Sequence, residues 1–176
     1  MVLQAFAGHQ PKLDPSAFVH PQAVVIGEVH VGAESSVWPN ATLRGDDAAI
    51  VIGAQTSVQD GSTVHATEGD SKTVIGSRVT VGHNVILHGC QIGDDCLIGM
   101  GSIVLDNAVV EPGSFVAAGT LVAPGKVVRS GTLVMGNPMR VLRRCTDKDL
   151  LWIAHSWQAY VKRSREYLAE AAASST

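Results

Sequence analysis

An aliphatic residue returns every six positions along most of this chain, and a strict period of six leaves few folds open. One run is Val25, Val31, Val37 and Leu43. After a slip come Ile52, Val58 and Val64, and after an insertion come Ile75, Val81 and Leu87. The longest run is Ile92, Ile98, Val104, Val110, Val116, Val122, Val128 and Val134. Runs of four, three, three and eight make eighteen repeats. Four places after the aliphatic residue the side chain is mostly small, as at Val29, Ser35, Ala41, Thr56, Ser62, Cys96, Ser102, Ala108 and Ser114. Three places after it, turn formers dominate: Asn40, Asn84, Asp95, Gly101, Asn107, Gly113, Gly119, Gly125, Gly131 and Asn137. Such residues tolerate the left-handed backbone of a tight corner.

A helix would repeat its apolar stripe every 3.6 residues. A period of six suits short strands whose aliphatic and small residues point inward, with the residue after the aliphatic one pointing outward. Three such strands close one triangular coil, so eighteen repeats predict about six coils, stacked at roughly 4.8 Å. The alternative is a sandwich of short strands, and sandwich strands are not spaced so regularly. The expected fold class is therefore an all-β solenoid.

From Cys145 the pattern changes. Thr146 with Asp149 reads as a capping box. Leu150, Ile153, Trp157, Tyr160, Val161 and Leu168 then recur at helical spacing, which predicts a C-terminal α-helix over about 147–171 with a frayed AAASST tail. The expected division is a β-helix domain over 1–145 and a helical segment over 146–176 packed on it. Whether that helix covers its own subunit or a neighbour is open. The first twenty-odd residues, with Pro11, Pro15 and Pro21, read as an irregular cap on the first coil.

A net charge of −3 and a pI near 6.1 leave no basic footprint, so nucleic acid is not an expected partner. The sequence holds no stretch of membrane-spanning length and opens on no charged-then-apolar leader, so no membrane is expected and a cytoplasmic location is. Cys90, Cys96 and Cys145 form no CxxC and fit structural roles in a reducing compartment.

Seven histidines are present. His9, His20, His30 and His155 read as surface or satisfied core positions. His65 follows Val64 and His88 follows Leu87, so both occupy the outward slot. Three repeats, one complete coil, separate them, which stacks them on one face roughly 4.8 Å apart. The insertion ATEGDSK between them reads as a bulging loop. Arg44, after Leu43, stands one coil earlier, extending the ladder. His83 lies two places after Val81, on the preceding corner, and within one chain it should point away from His88. A tetrahedral Zn²⁺ site needs about three ligands plus water. The simplest completion takes His83 from an adjacent subunit, which predicts a homotrimer with interfacial sites. Asp60 lies one coil before His83, with Gln59 beside it, and Arg44 and Asp46 could pair across the interface.

The segments LRGDDA at 43–48, VQDGSTVHA at 58–66, GHNVILHGC at 82–90, IGMGS at 98–102, LVMGNP at 133–138 and SWQAYV at 156–161 together resemble the γ-class carbonic anhydrases, in their short bacterial branch. The resemblance runs over nearly the whole chain. It implies a left-handed parallel β-helix, a hand opposite to the usual crossover rule. It also implies a homotrimer binding Zn²⁺, or Fe²⁺ or Co²⁺, through His65 and His88 of one subunit and His83 of the next. The implied reaction is the reversible hydration of CO₂ to bicarbonate by a metal-activated water. Gln59 matches the glutamine that orients that water or bicarbonate, Asp60 an aspartate beside the site, and Arg44 with Asp46 the interfacial pair. Asp47 stands where the archetype has a glutamate, Tyr160 matches a site tyrosine on the helix, and Gln158 stands where an asparagine is usual. The archetype's long acidic loop after the first metal histidine is here only ATEGDSK, with Glu68 the nearest candidate for a proton shuttle. Rival readings are a non-catalytic metal-binding trimeric scaffold, a hexapeptide acyltransferase, a thioester hydrolase using the same site and a siderophore-binding protein, for which no pocket is evident.

Overall fold

The computed structural model describes residues 2–173. They form a three-sided parallel β-solenoid closed by one C-terminal helix. The first face stacks Val2–Gln4, the front of Val24–Val31, the front of Thr42–Ile52, Thr63–His65, Ile86–His88, Ile103–Val104 and Leu121–Val122. The second stacks Lys12–Leu13, the backs of the same two long strands, Thr73–Ile75, Gln91–Ile92, Val109–Val110 and Val127–Val128. The third stacks Phe18–Val19, Ser36–Val37, Ser57–Val58, Thr80–Val81, Leu97–Ile98, Phe115–Val116 and Thr132–Met135. Each face thus carries seven strands, giving seven turns. Arg140–Arg144 folds back antiparallel on the last strand of the third face.

The repeat explains the core. All eighteen aliphatic positions are at most 3% exposed and belong to one contiguous apolar cluster. The small residues four places on are buried beside them. Their hydroxyls answer backbone carbonyls of the next coil: Ser35 donates to Gly53 O at 2.6 Å, Thr56 to Gly76 O at 2.7 Å and Ser62 to Gly82 O at 2.8 Å. An unpaired buried hydroxyl would cost roughly 1–3 kcal/mol, so these bonds let a polar atom occupy a core slot. The corner residues adopt positive φ, from Asn40 (60°) to Gly131 (62°). Glu34, Gln55 and Arg78 hold the same conformation without the favoured residue type. Asn137 does not adopt it; the chain there passes through Gly136, at φ 104°, into a cis Asn137–Pro138 bond.

The opening residues are not an irregular cap. Val2–Gln4, Lys12–Leu13 and Phe18–Val19 pair in parallel with the coil above, forming the first of the seven turns. Eighteen repeats account for about six turns, and this stretch supplies the remaining one. Leu13 and Val19 are only partly buried against the core, because no coil covers their outer side.

The helix runs Asp147–Ala173 and packs on the third face of its own chain. Its start is a capping box: Thr146 N and Oγ1 donate to Asp149 Oδ2 at 2.7 and 2.6 Å, and Asp149 N donates to Thr146 Oγ1 at 3.4 Å. Ile153, Val161 and Ser164 are buried, while Leu150 and Leu168 of the expected stripe remain 45% and 37% exposed. Tyr160 and Tyr167 set their rings against Trp38, and Tyr167 also meets Phe18. Of the AAASST tail, residues 171–173 are helical and residues 174–176 lie outside the described residues. Among the described residues no helix is long and apolar enough to cross a membrane.

Candidate metal centre

The register of the first face sets two histidines side by side. Leu87 pairs with Val64, and His88 with His65, on adjacent parallel strands. His65 Nδ1 stands 3.1 Å from His88 Nε2, and Arg44 Nη2, one coil earlier, lies 3.3 Å from His65 Nδ1. His65 is buried and His88 partly buried.

A local insertion brings carboxylates to His65. The long strand Thr42–Ile52 pairs with Val24–Val31 up to Gly27↔Gly45 and resumes at Val29↔Ile50, so the extra residues arch outward as Asp46, Asp47 and their neighbours. The coils close up there because both positions are glycine. A Cβ on Gly27, which sits at φ +72°, would lie 2.3 Å from Gly45 O. His65 Nε2 then lies 3.1 Å from Asp46 Oδ1 and 3.2 Å from Asp47 Oδ2. Carboxylates only accept, so Nε2 carries the proton and Nδ1 keeps its lone pair. Arg44 Nη1 pairs with Asp46 Oδ2 at 2.7 Å within the chain. Burial works to raise the Asp46 carboxyl; the bonds from Arg44, its own backbone and His65 outweigh it and hold the group below the ordinary carboxylate value.

His88 has its own carboxylate. Its Nδ1 lies 3.1 and 3.0 Å from the two oxygens of Asp106, which leaves Nε2 facing His65. Asp106 in turn accepts from Ser71 Oγ at 2.6 Å and Thr67 Oγ1 at 3.1 Å. The ATEGDSK insertion therefore does more than bulge: it folds back onto the carboxylate beneath His88. Burial raises the Asp106 carboxyl, and the Ser71, His88 and Thr67 bonds outweigh it, leaving it lowered.

His83 sits elsewhere, on the corner that leads from the third face into the first. Its Nδ1 lies 2.9 Å from Asp60 Oδ2. With Gln59 and Tyr160 it lines a largely apolar cavity of about 380 Å³ beneath the helix, alongside Met100, Phe115 and Trp152. Gln59 is buried, and burial first, then the Asp60 charge, push the Tyr160 phenol above its ordinary value.

The site residues read from the sequence thus fall into two groups. Arg44, Asp46, Asp47, His65 and His88 converge at one edge of the first face, and Gln59, Asp60, His83 and Tyr160 gather at the other. Glu68 is exposed at the loop tip, and Gln158 is exposed on the helix. Asp106 was not read from the sequence. The coil count that stacks His88 on His65 also stacks Asp106 on Gly89, and that was the signal.

The donor set fits a divalent metal. Two nitrogens held 2.0–2.1 Å from one tetrahedral ion stand roughly 3.3–3.4 Å apart. The facing nitrogens of His65 and His88 are already at 3.1 Å. Among the described residues, the three-residue group whose ligand atoms crowd within 4.8 Å is instead Asp46, Asp47 and His65. Arg44 pairs with Asp46 at 2.7 Å, and both carboxylates lie against the far nitrogen of His65, so they stand as support for that ring.

A family described as bacterial transferase hexapeptide (six repeats) matches residues 72–105 and 89–124. Carnitine operon protein CaiE of Escherichia coli K12 is 43% identical over 152 residues, covering 86% of this chain and 77% of that protein. The mitochondrial gamma carbonic anhydrase 1 of Arabidopsis thaliana is 42% identical over 165 residues, or 91% of this chain. This chain belongs to the γ-carbonic-anhydrase-like hexapeptide-repeat family. It spans 60% of the length of the Arabidopsis relative. Among solved structures, a hexapeptide transferase family protein from Anaplasma phagocytophilum superposes with a TM-score of 0.91 at 43% identity, covering 94% of this chain and 98% of that one. A Bacillus cereus protein described as a candidate acetyltransferase gives 0.92 at 39% identity, covering 94% and 96%.

Proposed function

We propose that this member of the family is a carbonic anhydrase that hydrates CO₂ reversibly to bicarbonate at the interfaces of a homotrimer. The observation that carries the reading is the His65–His88 pair, with facing nitrogens 3.1 Å apart and a carboxylate on the far nitrogen of each ring. His65 and His88 of one subunit and His83 of the next would hold Zn²⁺, Fe²⁺ or Co²⁺. Bound there, the ion would lower the pKa of water to about 7 and so supply a nucleophile at neutral pH.

The chain's own residues do the rest. Gln59, buried and beside His83, offers an amide that both donates and accepts, suited to orienting water or bicarbonate. Asp60 at 2.9 Å from Nδ1 favours the His83 tautomer whose lone pair is on Nε2. Tyr160, its phenol shifted upward, stays protonated at neutral pH and can donate. Each turnover also releases one proton, and Glu68, a carboxylate of the ATEGDSK loop, stands exposed to solvent.

The test is CO₂ hydration by stopped flow, on protein loaded with Zn²⁺ and, anaerobically, with Fe²⁺, beside His88→Ala. Activity that disappears in the variant supports the reading. Full metal occupancy with no hydration above buffer would replace it with a metal-binding scaffold. Acetyl-group transfer unaffected by chelators would replace it with an acyltransferase.

A further inference from the structure

We propose that Asp106 is the positioning residue for His88, and that the loop over residues 66–72 holds that carboxylate in place. This rests on the metal-binding reading above.

Both oxygens of Asp106 lie within 3.1 Å of His88 Nδ1. A carboxylate there fixes the proton on Nδ1, puts the lone pair on Nε2 and stops rotation of the ring. Its aim depends on the loop. Ser71 Oγ and Thr67 Oγ1 donate to the same oxygen, Oδ1, at 2.6 and 3.1 Å. The loop is closed on itself beneath them, with Ser71 N donating to Thr67 O at 3.1 Å and Thr67 N to Ser71 Oγ at 3.0 Å. A second tie runs from Asn107 Nδ2 to Asp70 Oδ2 at 3.3 Å.

The coil below leaves room for this network and for nothing larger. Gly89, next to His88, has φ +61°, and a Cβ there would lie 2.1 Å from both Asp106 Oδ1 and Ser71 Oγ. Its N–H donates to Thr73 Oγ1 at 2.9 Å, and Thr73 Oγ1 donates to His65 O at 2.5 Å. One hydrogen-bonded patch therefore joins both histidine strands, the loop and Asp106. In this chain the short loop sets a metal ligand, whereas Glu68 at its tip faces solvent.

The experiment is a chelator competition with Zn²⁺ on the full chain, comparing wild type with His88→Ala, Asp106→Ala, Asp106→Asn and Ser71→Ala. It is paired with ¹⁵N NMR of the His88 ring in metal-free protein. Asp106→Ala is expected to weaken Zn²⁺ binding roughly 10–100-fold and to convert His88 from the Nδ1–H form to a tautomer mixture. Asp106→Asn, which keeps an acceptor but not the charge, should fall between it and wild type. If Asp106→Ala does not fold, Ser71→Ala carries the same expectation at a smaller amplitude.

The proposal is overturned if His88→Ala loses zinc while Asp106→Ala binds as tightly as wild type, or if the His88 tautomer is unchanged. If wild type binds zinc no better than His88→Ala, the metal reading fails instead. The tautomer measurement then still decides whether Asp106 orients His88.

Discussion

His83 Nδ1 lies 2.9 Å from Asp60 Oδ2, on the edge of the first face opposite to His65 and His88. A metal site using all three rings must therefore join two chains. Mixing two inactive variants tests this directly. His83→Ala trimers and His88→Ala trimers should each bind no metal in the interfacial mode. Unfolded together and refolded as mixed trimers, they should regain roughly a third of the sites, because in each mixed trimer one of the three interfaces sets a His83→Ala chain's His65 and His88 against the His83 of a His88→Ala neighbour. Zinc content and hydration rate after mixing are the readouts. No recovery in verified mixed trimers would place the ligands within one chain.

Proton release supplies a second prediction. Glu68 is exposed, and the loop hydroxyls that could have relayed a proton are committed to Asp106. Product protons must then leave through buffer, and the hydration rate should rise with buffer concentration at fixed pH and ionic strength. Stopped-flow rates over a buffer series check this, and a flat dependence would require an internal shuttle. Glu68→Ala should leave the buffer dependence unchanged.

The fold was largely legible because a solenoid reads out its own geometry. A residue's place in the six-residue count fixes its face, its direction and its neighbour one coil away, so the count alone stacks His65, His88 and Arg44. The first turn escaped notice although Leu13 and Val19 continue the same period into Val25. The prolines around them masked it, and as an end turn it buries its aliphatic residues only in part. Asp106 escaped because it reaches His88 from a corner, two places past Val104, where the repeat marks turn chemistry and not a side chain's direction. The loop's return onto Asp106 depends on Thr67 and Ser71, whose hydroxyls carry no sequence pattern. The helix's half-covered stripe likewise follows from the shape of the third face, which helical spacing does not encode.

The link between core and site gives a stability prediction. Leu87 is fully buried and precedes His88 on the strand paired with His65. Leu87→Ala should lower unfolding stability by about 2–5 kcal/mol, the range for deleting a packed Leu side chain. It should also loosen the His65–His88 register, so zinc affinity should fall with it. Urea unfolding and chelator competition on the same protein would show both effects. A stability loss with unchanged zinc affinity would mean the ladder is set by the surface carboxylates alone.

The helix cap predicts how stability depends on pH. Asp149 accepts from Arg143 and from Thr146, and these bonds hold its carboxyl well below the usual carboxylate range. A group whose pKa is depressed by folding stabilises the folded state above its unfolded pKa, near 3.9, and loses that contribution as pH falls through the folded value. Wild type should therefore melt higher than Asp149→Ala at neutral pH. The gap should narrow as pH drops below about 4, where the free carboxyl begins to protonate. Thermal melts followed by tryptophan fluorescence are suited to this, since Trp152 and Trp157 report from the helix. A gap of constant size down to acid unfolding would show that Thr146 caps the helix without help from the Asp149 charge.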